Sequence, residues 1–192
     1  MKKVLILLTA IVLMSCSSDD DNSNATSSSF NLDGDVYQLI EGMGMIELIM
    51  PEVVEVNGET YDRSSITLTG MKGTSSSATV SFDLYYKTGT SVAGTYNIYD
   101  STNEGGDDFE EFLQGQDRGC MGWTSAAAVF MLDGSDMTTA NNPTGSVQVI
   151  VNSSTNYTLK YNGNFRVYDL ELNFDRNMPA NINVSSTVTI QD

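Results

Sequence analysis

Short segments with alternating apolar and polar residues constrain the fold of this chain more than any other feature. In residues 78–86 alternate positions are apolar and share one face: Val80, Phe82, Leu84 and Tyr86. The other face carries Thr79, Ser81, Asp83 and Tyr85. Residues 147–151 and 157–161 alternate in the same way. Because successive side chains of a β-strand point to opposite faces of its sheet, this pattern predicts half-buried antiparallel strands.

Asx-Gly pairs mark the turns between these segments. Such pairs tolerate the positive φ angles that two-residue hairpin turns require. Three of the four pairs join segments with strand character and are predicted to close hairpins: Asp33-Gly34, Asn57-Gly58 and Asn162-Gly163. The fourth pair is Asp133-Gly134. In residues 164–174 the apolar positions change phase, which predicts a β-bulge near Val167 and Tyr168.

Helical periodicity is almost absent from the chain. Residues 109–114 are predicted to form one helical turn, and the apolar residues 124–132 fit either a buried strand or a short helix. Close turn spacing and many short strands predict an all-β fold of about nine to eleven strands. An antiparallel β-sandwich and an up-and-down β-barrel both satisfy this pattern.

The first residues have the layout of an export signal. Lys2 and Lys3 precede an apolar run over residues 4–14, which is shorter than the roughly 20 residues that a membrane-spanning helix needs. Leu13-Met14-Ser15-Cys16 resembles the bacterial lipobox, although Met14 is bulkier than the residue usual at its position. This resemblance implies that Cys16 is lipidated with acyl chains such as palmitate and that the protein is held at the membrane by its N-terminus.

The residues after Cys16 extend this resemblance. Ser17, Ser18, Asp19, Asp20 and Asp21 are similar to the export signal of Bacteroidota-type surface lipoproteins. The likeness implies an outer-membrane lipoprotein on the cell surface, with a periplasm-facing position as the alternative. We therefore divide the chain into a signal peptide (1–15), a lipidated cysteine with a flexible tether (16–29) and one β domain (30–192). The start of that domain also resembles small β-rich lipoproteins, some of them called lipocalin-like, through Phe30, Leu32, Asp33-Gly34 and Tyr37.

Charge and composition exclude several functional classes. Without Lys2 and Lys3, seven basic residues face twenty-five acidic ones, a net charge of −18, and such a surface repels nucleic acids. The chain has no histidine, so histidine-based nucleophilic triads and histidine-ligated metal sites are excluded. Cys120 has no partner for an intramolecular disulfide once Cys16 is acylated, and we expect it to be a buried apolar residue. No catalytic motif is present, and we predict that the protein is not an enzyme.

An acidic segment with regular oxygen-bearing side chains is the candidate metal site. Loop positions one, three, five, nine and twelve are filled, with Gly105 at six, by Asp100, Thr102, Glu104, Asp108 and Glu111. This is the spacing of a calcium-binding EF-hand loop. Thr102 and Glu104 depart from the usual Asp or Asn, and residues 95–99 alternate like a strand where a helix is expected. A solvated acidic loop is the alternative, and calcium is the only cofactor predicted.

Aromatic residues outside the core alternation predict a binding surface. The candidate ligand-binding residues are Trp123, Tyr85 and Tyr99. Phe109 also lies outside the core alternation. Exposed aromatic rings stack on sugars or anchor protein partners. The sequence therefore favours a binding or structural module for a glycan, a small ligand or another envelope protein. The alternatives are a carboxylate-based glycoside hydrolase and a purely structural coat or adhesin-like component.

Overall fold

A computed structural model describes residues 29–74, 76–99, 108–121, 127–133, 136–141, 143–169 and 174–192. Within residues 121–142 and 167–176 it describes the backbone and not the side chains. The described residues form twelve β-strands and one short α-helix, which confirms the all-β prediction. The elements are β1 (Ser29–Leu32), β2 (Asp35–Leu39), β3 (Met45–Val56), β4 (Glu59–Lys72), β5 (Ser76–Lys87), β6 (Gly94–Ile98), α1 (Phe109–Leu113), β7 (Arg118–Met121), β8 (Ala127–Asp133), β9 (Asp136–Asn141), β10 (Ser146–Ser153), β11 (Asn156–Asp169) and β12 (Phe174–Gln191).

The strand pairings close the sheet into a barrel. Two long hairpins, β4–β5 and β11–β12, run along most of its length. At one end β3 lies between β4 and β12, while β10, β6 and β7 connect β11 to β5. At the other end β2 and β1 lie between β4 and β12, while β9 and β8 connect β11 to β5. We call the end completed by β3, β10, β6 and β7 the β3 mouth.

Two parallel pairings distinguish this barrel from a simple up-and-down barrel. β3 runs parallel to β12, and β6 runs parallel to β7. A parallel pair needs a long connection, and the chain between β6 and β7, which includes α1, provides one. No helix in the described ranges is long and apolar enough to span a membrane.

Side chains fill the interior of the barrel. Val80, Phe82, Leu84 and Tyr86 are all buried in the main core, which confirms the alternation of β5. Phe82, Tyr161 and Phe165 form a fully enclosed group of rings, with centroids 5.2 to 6.0 Å apart. Val147, Val149, Tyr157 and Leu159 face the same core. The interior therefore holds the fold together through apolar burial.

The predicted turns are confirmed in two cases. Asp33-Gly34 has φ angles of 52° and 85°, Asn57-Gly58 has 50° and 81°, and the two pairs close the β1–β2 and β3–β4 hairpins. β8 and β9 also form a hairpin, with Asp133 opposite Asp136; it was not predicted, and residues 134 and 135 are outside the described ranges.

Two predictions for β11 are wrong. Asn162-Gly163 lies inside the strand and makes no turn. A Cβ at Gly163 would lie 2.2 Å from the Thr144 carbonyl oxygen, so this glycine permits a close backbone approach. The bulge near Val167 and Tyr168 is also absent from the β11–β12 pairing, which continues without a shift from Phe165 opposite Met178 to Asp169 opposite Phe174.

Candidate functional site

The helix α1 lies against the outside of the barrel and builds the candidate site. Asp108 caps its first turn, because the Asp108 carboxylate accepts a hydrogen bond of 2.9 Å from the Glu111 backbone N–H. The Tyr61 hydroxyl lies 3.1 Å from the Leu113 carbonyl oxygen and 2.8 Å from that of Gln116. A Cβ at Gly119 would lie 2.5 Å from the Leu113 side chain. Glycine at this position thus lets the helix pack directly onto β7.

Four aromatic rings, Tyr85, Tyr99, Phe109 and Phe112, meet beside α1; we call them the aromatic cluster. The Phe109 ring centroid lies 4.6 Å from that of Tyr85, 5.6 Å from that of Tyr99 and 5.9 Å from that of Phe112. Tyr99 and Phe112 are 5.4 Å apart. Tyr85 is 2% exposed, whereas the other three rings are partly exposed. The cluster therefore has a buried base and an accessible outer side.

A shallow polar groove adjoins the aromatic cluster. It has a volume of about 290 Å³ and is lined by Thr95, Asn97, Gln116, Asp117 and Arg118. The Asn97 amide donates a 2.9 Å hydrogen bond to the Gln116 side-chain oxygen, and the Gln116 amide donates to the Phe112 carbonyl oxygen. Because Tyr99 follows Thr95 and Asn97 at the same two-residue interval on the outer side of the strand, one surface joins the groove to the rings.

Arg118 lines the groove and is held in place by its neighbours. Its guanidinium donates a 2.9 Å hydrogen bond to the Ser91 carbonyl oxygen and lies 5.9 Å from the centroid of the Tyr96 ring. A Cβ at Gly94 would lie 2.2 Å from the Arg118 Nε atom, so only glycine leaves space for this side chain. The groove thus contains a positioned cation in an otherwise acidic protein.

An ion pair lies beneath the aromatic cluster. Arg63 donates a 2.7 Å hydrogen bond to Asp83, which is 1% exposed, and the Arg63 guanidinium lies 5.4 Å from the centroid of the Tyr85 ring. Burial alone would lower the pKa of Arg63, but the hydrogen bond to Asp83 and nearby negative charges raise it overall. Burial raises the pKa of Tyr85 to about 12, although the charge of Arg63 opposes this shift.

The outer face of β5 therefore differs from the prediction of a half-buried strand. Asp83 and Tyr85 were assigned to a solvent face, but both are buried, because α1 and Arg63 cover this part of the sheet. Tyr85 supports the aromatic cluster from below and does not present an open ring face. Sequence periodicity does not reveal which outer face a distant helix will cover.

The structure brings together some of the predicted ligand-binding residues. Phe109 bridges Tyr85 and Tyr99, whereas Trp123 is outside the described residues. The groove residues Asn97, Gln116 and Arg118 were not predicted. The strand-like alternation of residues 95–99 was the one available signal for the outward positions of Thr95, Asn97 and Tyr99.

The calcium-site residues are described only in part. Asp108 and Glu111 lie at the start of α1, while Asp100, Thr102 and Glu104 are outside the described ranges. Within those ranges, no group of three or more His, Cys, Asp or Glu side chains is arranged to hold a metal ion. The calcium site therefore stays a prediction. Cys16 and residues 17–21 also lie outside the described ranges, so lipidation and the export signal stay predictions too.

Cys120 is buried, as predicted, and burial raises the pKa of its thiol, which keeps it in the unreactive protonated form.

No protein-family model, no curated protein and no solved structure matches this chain significantly.

Proposed function

We propose that this protein is a lipid-anchored envelope protein, displayed on the cell surface, whose groove and aromatic cluster together bind a neutral glycan. The observation that carries the proposal is the partly exposed group of Tyr99, Phe109 and Phe112 beside planar polar side chains. Aromatic faces stack on the apolar faces of sugar rings. Amide and guanidinium groups next to them supply directed hydrogen bonds to sugar hydroxyls.

The location of the groove favours an extended ligand over an enclosed one. The main core fills the barrel with side chains, so a ligand of ordinary size is better accommodated outside. The groove volume of about 290 Å³ is at the lower limit of pockets that enclose a small ligand, which span roughly 300 to 1,000 Å³. A glycan chain that lies across the open groove and the rings uses both surfaces.

Charge favours a neutral ligand over an acidic one. The chain carries a net charge of −16, and Asp117 lies in the groove itself. Asp108, Glu110 and Glu111 are exposed beside the aromatic cluster. An anionic polysaccharide would approach against this field, whereas a neutral one meets no such barrier.

The anchoring part of the proposal depends on Leu13 to Cys16 and on the acidic residues that follow. Acyl chains at Cys16 contribute about 0.8 kcal/mol per buried methylene, and more than one chain is needed for stable anchoring. In this proposal residues 16–29 supply the lipidated cysteine and the tether to the barrel. A glycan-binding domain on such a tether reaches polymers outside the cell.

Glycan-array binding with the acylated protein in detergent micelles tests the ligand assignment. Neutral glycans are expected to bind, and Asn97→Ala or Tyr99→Ala to weaken binding about tenfold. Asn181→Ala, an exposed asparagine on β12, is the matched control and is expected to bind normally. Absence of binding to any neutral glycan, or an equal loss in the control, would contradict the assignment.

Protease treatment of intact cells tests the display assignment separately. A surface-displayed domain is degraded while periplasmic proteins survive. Survival of the domain on intact cells would contradict the outward-facing position. Mass spectrometry of the native N-terminus, with acylated Cys16 as the expected first residue, tests the anchor itself.

A further inference from the structure

Glu47 is a buried carboxylate inside the barrel, separate from the outer groove. It is 3% exposed and lies on the core-facing side of β3 with Met45. Among the residues that the structure describes, no lysine or arginine nitrogen lies within salt-bridge distance of it. Buried carboxylates are normally paired with a cation, because burial without one is costly. Glu47 is therefore a buried carboxyl group without a cation partner in the described part of the chain.

Two tyrosines lie close to the Glu47 carboxyl group. Burial, followed by the proximity of Glu47, raises the pKa of Tyr157 to about 12. The pKa of Tyr86 is also raised, mainly by burial, and Glu47 adds to this shift. Both tyrosines are therefore neutral at physiological pH and supply no positive charge next to Glu47.

Ser64 supplies an independent observation at the same place. It is 0% exposed, and its hydroxyl has no hydrogen-bond partner. Ser64 lies close enough to Tyr86 to offset part of the rise in pKa that burial causes there, although the two hydroxyls are not in hydrogen-bond geometry. Ser64 lies two residues from Ile66, which pairs with Glu47 across β3 and β4. The same inner face thus carries a buried hydroxyl without a hydrogen-bond partner and a carboxyl group without a cation partner.

Two exposed isoleucines border this environment at the β3 mouth. Ile190 pairs with Glu47 in the β3–β12 ladder, and Ile49 pairs with Ser64 in the β3–β4 ladder. Ile190 is 47% exposed and Ile49 is 38% exposed. Large apolar side chains at a barrel opening favour contact with an apolar segment of a ligand.

We infer that the β3 mouth binds a primary ammonium group carried on an aliphatic stem. The ammonium group donates hydrogen bonds to the Glu47 carboxylate and to the Ser64 hydroxyl, while the stem lies against Ile49 and Ile190. An ammonium ion fits a single carboxylate better than calcium or magnesium does, because those metals require several oxygen ligands. The net charge of −16 also attracts cations to this surface.

Calorimetric titration of the full acylated chain with n-butylammonium tests this inference, with empty micelles as the blank. The wild-type protein is expected to bind n-butylammonium but not n-butanol, which has a similar stem and no charge. Glu47→Gln is expected to weaken binding about tenfold or more, because it removes the charge at constant shape. Glu55→Gln, at an exposed acid on the same strand, is the matched control and is expected to stay within about twofold.

A second variant keeps the test decisive if Glu47→Gln does not fold. The wild type is expected to bind n-butylammonium more tightly than methylammonium, because only the longer stem reaches the isoleucines. Ile190→Ser changes an exposed residue and is expected to abolish this difference in affinity. Nα-acetyl-lysine methylamide distinguishes the source of the amine: equal binding indicates a lysine of a partner protein, and much weaker binding indicates a free amine. No ammonium binding by the wild type, equal binding of n-butanol, or equal losses in Glu47→Gln and Glu55→Gln would overturn the inference.

Discussion

Two groups of aromatic rings in the described part of the barrel share chemistry and spacing but differ in their surroundings. Phe82, Tyr161 and Phe165 lie inside, fully buried, with centroids 5.2 to 6.0 Å apart. The aromatic cluster lies outside, with centroids 4.6 to 5.9 Å apart, and three of its four rings are partly exposed. Ring contacts alone therefore do not separate a residue that holds the fold from one that is available to a ligand. Exposure separates them.

The largest expected effect compares one ring from each group. Phe82→Ala removes a fully buried side chain and is expected to lower the free energy of unfolding by about 3 to 5 kcal/mol. Phe112→Ala removes a partly exposed ring and is expected to cost about 1 to 2 kcal/mol. Urea denaturation of both variants measures the difference. Equal losses would mean that the outer rings are as structural as the inner ones.

The inner group was largely predictable from the sequence. Strict alternation of apolar residues in β5, β10 and the first half of β11 identified the core face, and it includes Phe82 and Tyr161. Two Asx-Gly turns were also located correctly, since their positive φ angles follow from local chemistry. Local signals of this kind do not depend on distant parts of the chain.

The outer group was predictable only in part. Tyr85 and Tyr99 were recognised as residues outside the core alternation, but their meeting through Phe109 depends on how α1 packs. The closure into a barrel, the parallel pairings and the burial of Asp83 also depend on contacts between distant segments. Asn162-Gly163 shows the same limit, because its glycine is needed for an approach by Thr144 and not for a turn.

The ion pair beneath the outer rings gives the next largest expected effect. Arg63→Met leaves the Asp83 carboxylate buried without its cation. The expected loss is about 2 kcal/mol, below the roughly 3 to 5 kcal/mol of a fully buried pair, because the Arg63 side chain is 20% exposed. Lys72→Met, which breaks the half-exposed pair with Asp35, is the control and is expected to cost less than about 1 kcal/mol. Similar losses in both variants, measured by urea denaturation, would show that Asp83 does not need its partner.

Alkaline pH tests whether burial is equivalent inside and outside the barrel. The pKa of the outer Tyr85 and that of the inner Tyr157 are both raised to about 12, mainly by burial, from about 10 in an unfolded chain. Between pH 10 and 12 the unfolded state loses these protons while the folded state keeps them. Stability is therefore expected to fall as pH rises through this range.

Single variants measure how much Tyr85 and Tyr157 each contribute to the pH dependence of stability. Tyr85→Phe and Tyr157→Phe are each expected to reduce the slope of stability against pH by about one proton, or about 1.4 kcal/mol per pH unit. Denaturant melts at intervals from pH 9 to pH 12 measure the slope. If only Tyr157→Phe flattens it, the outer cluster opens to solvent in solution and Tyr85 is accessible to a ligand.

The smallest expected effect concerns the exposed link between the barrel and the groove. Lys87 donates to Glu59 at 3.0 Å and lies 3.2 Å from the carboxylate of Asp117, which lines the groove. The hydrogen bonds to Glu59 and Asp117 raise the pKa of Lys87, but the Lys87 side chain is partly exposed, and water and salt screen such surface pairs. Lys87→Met is therefore expected to shift the melting temperature by no more than about 2 °C. A larger shift would mean that the groove residues stabilise the barrel, and that the outer surface is less independent of the inner core than its exposure indicates.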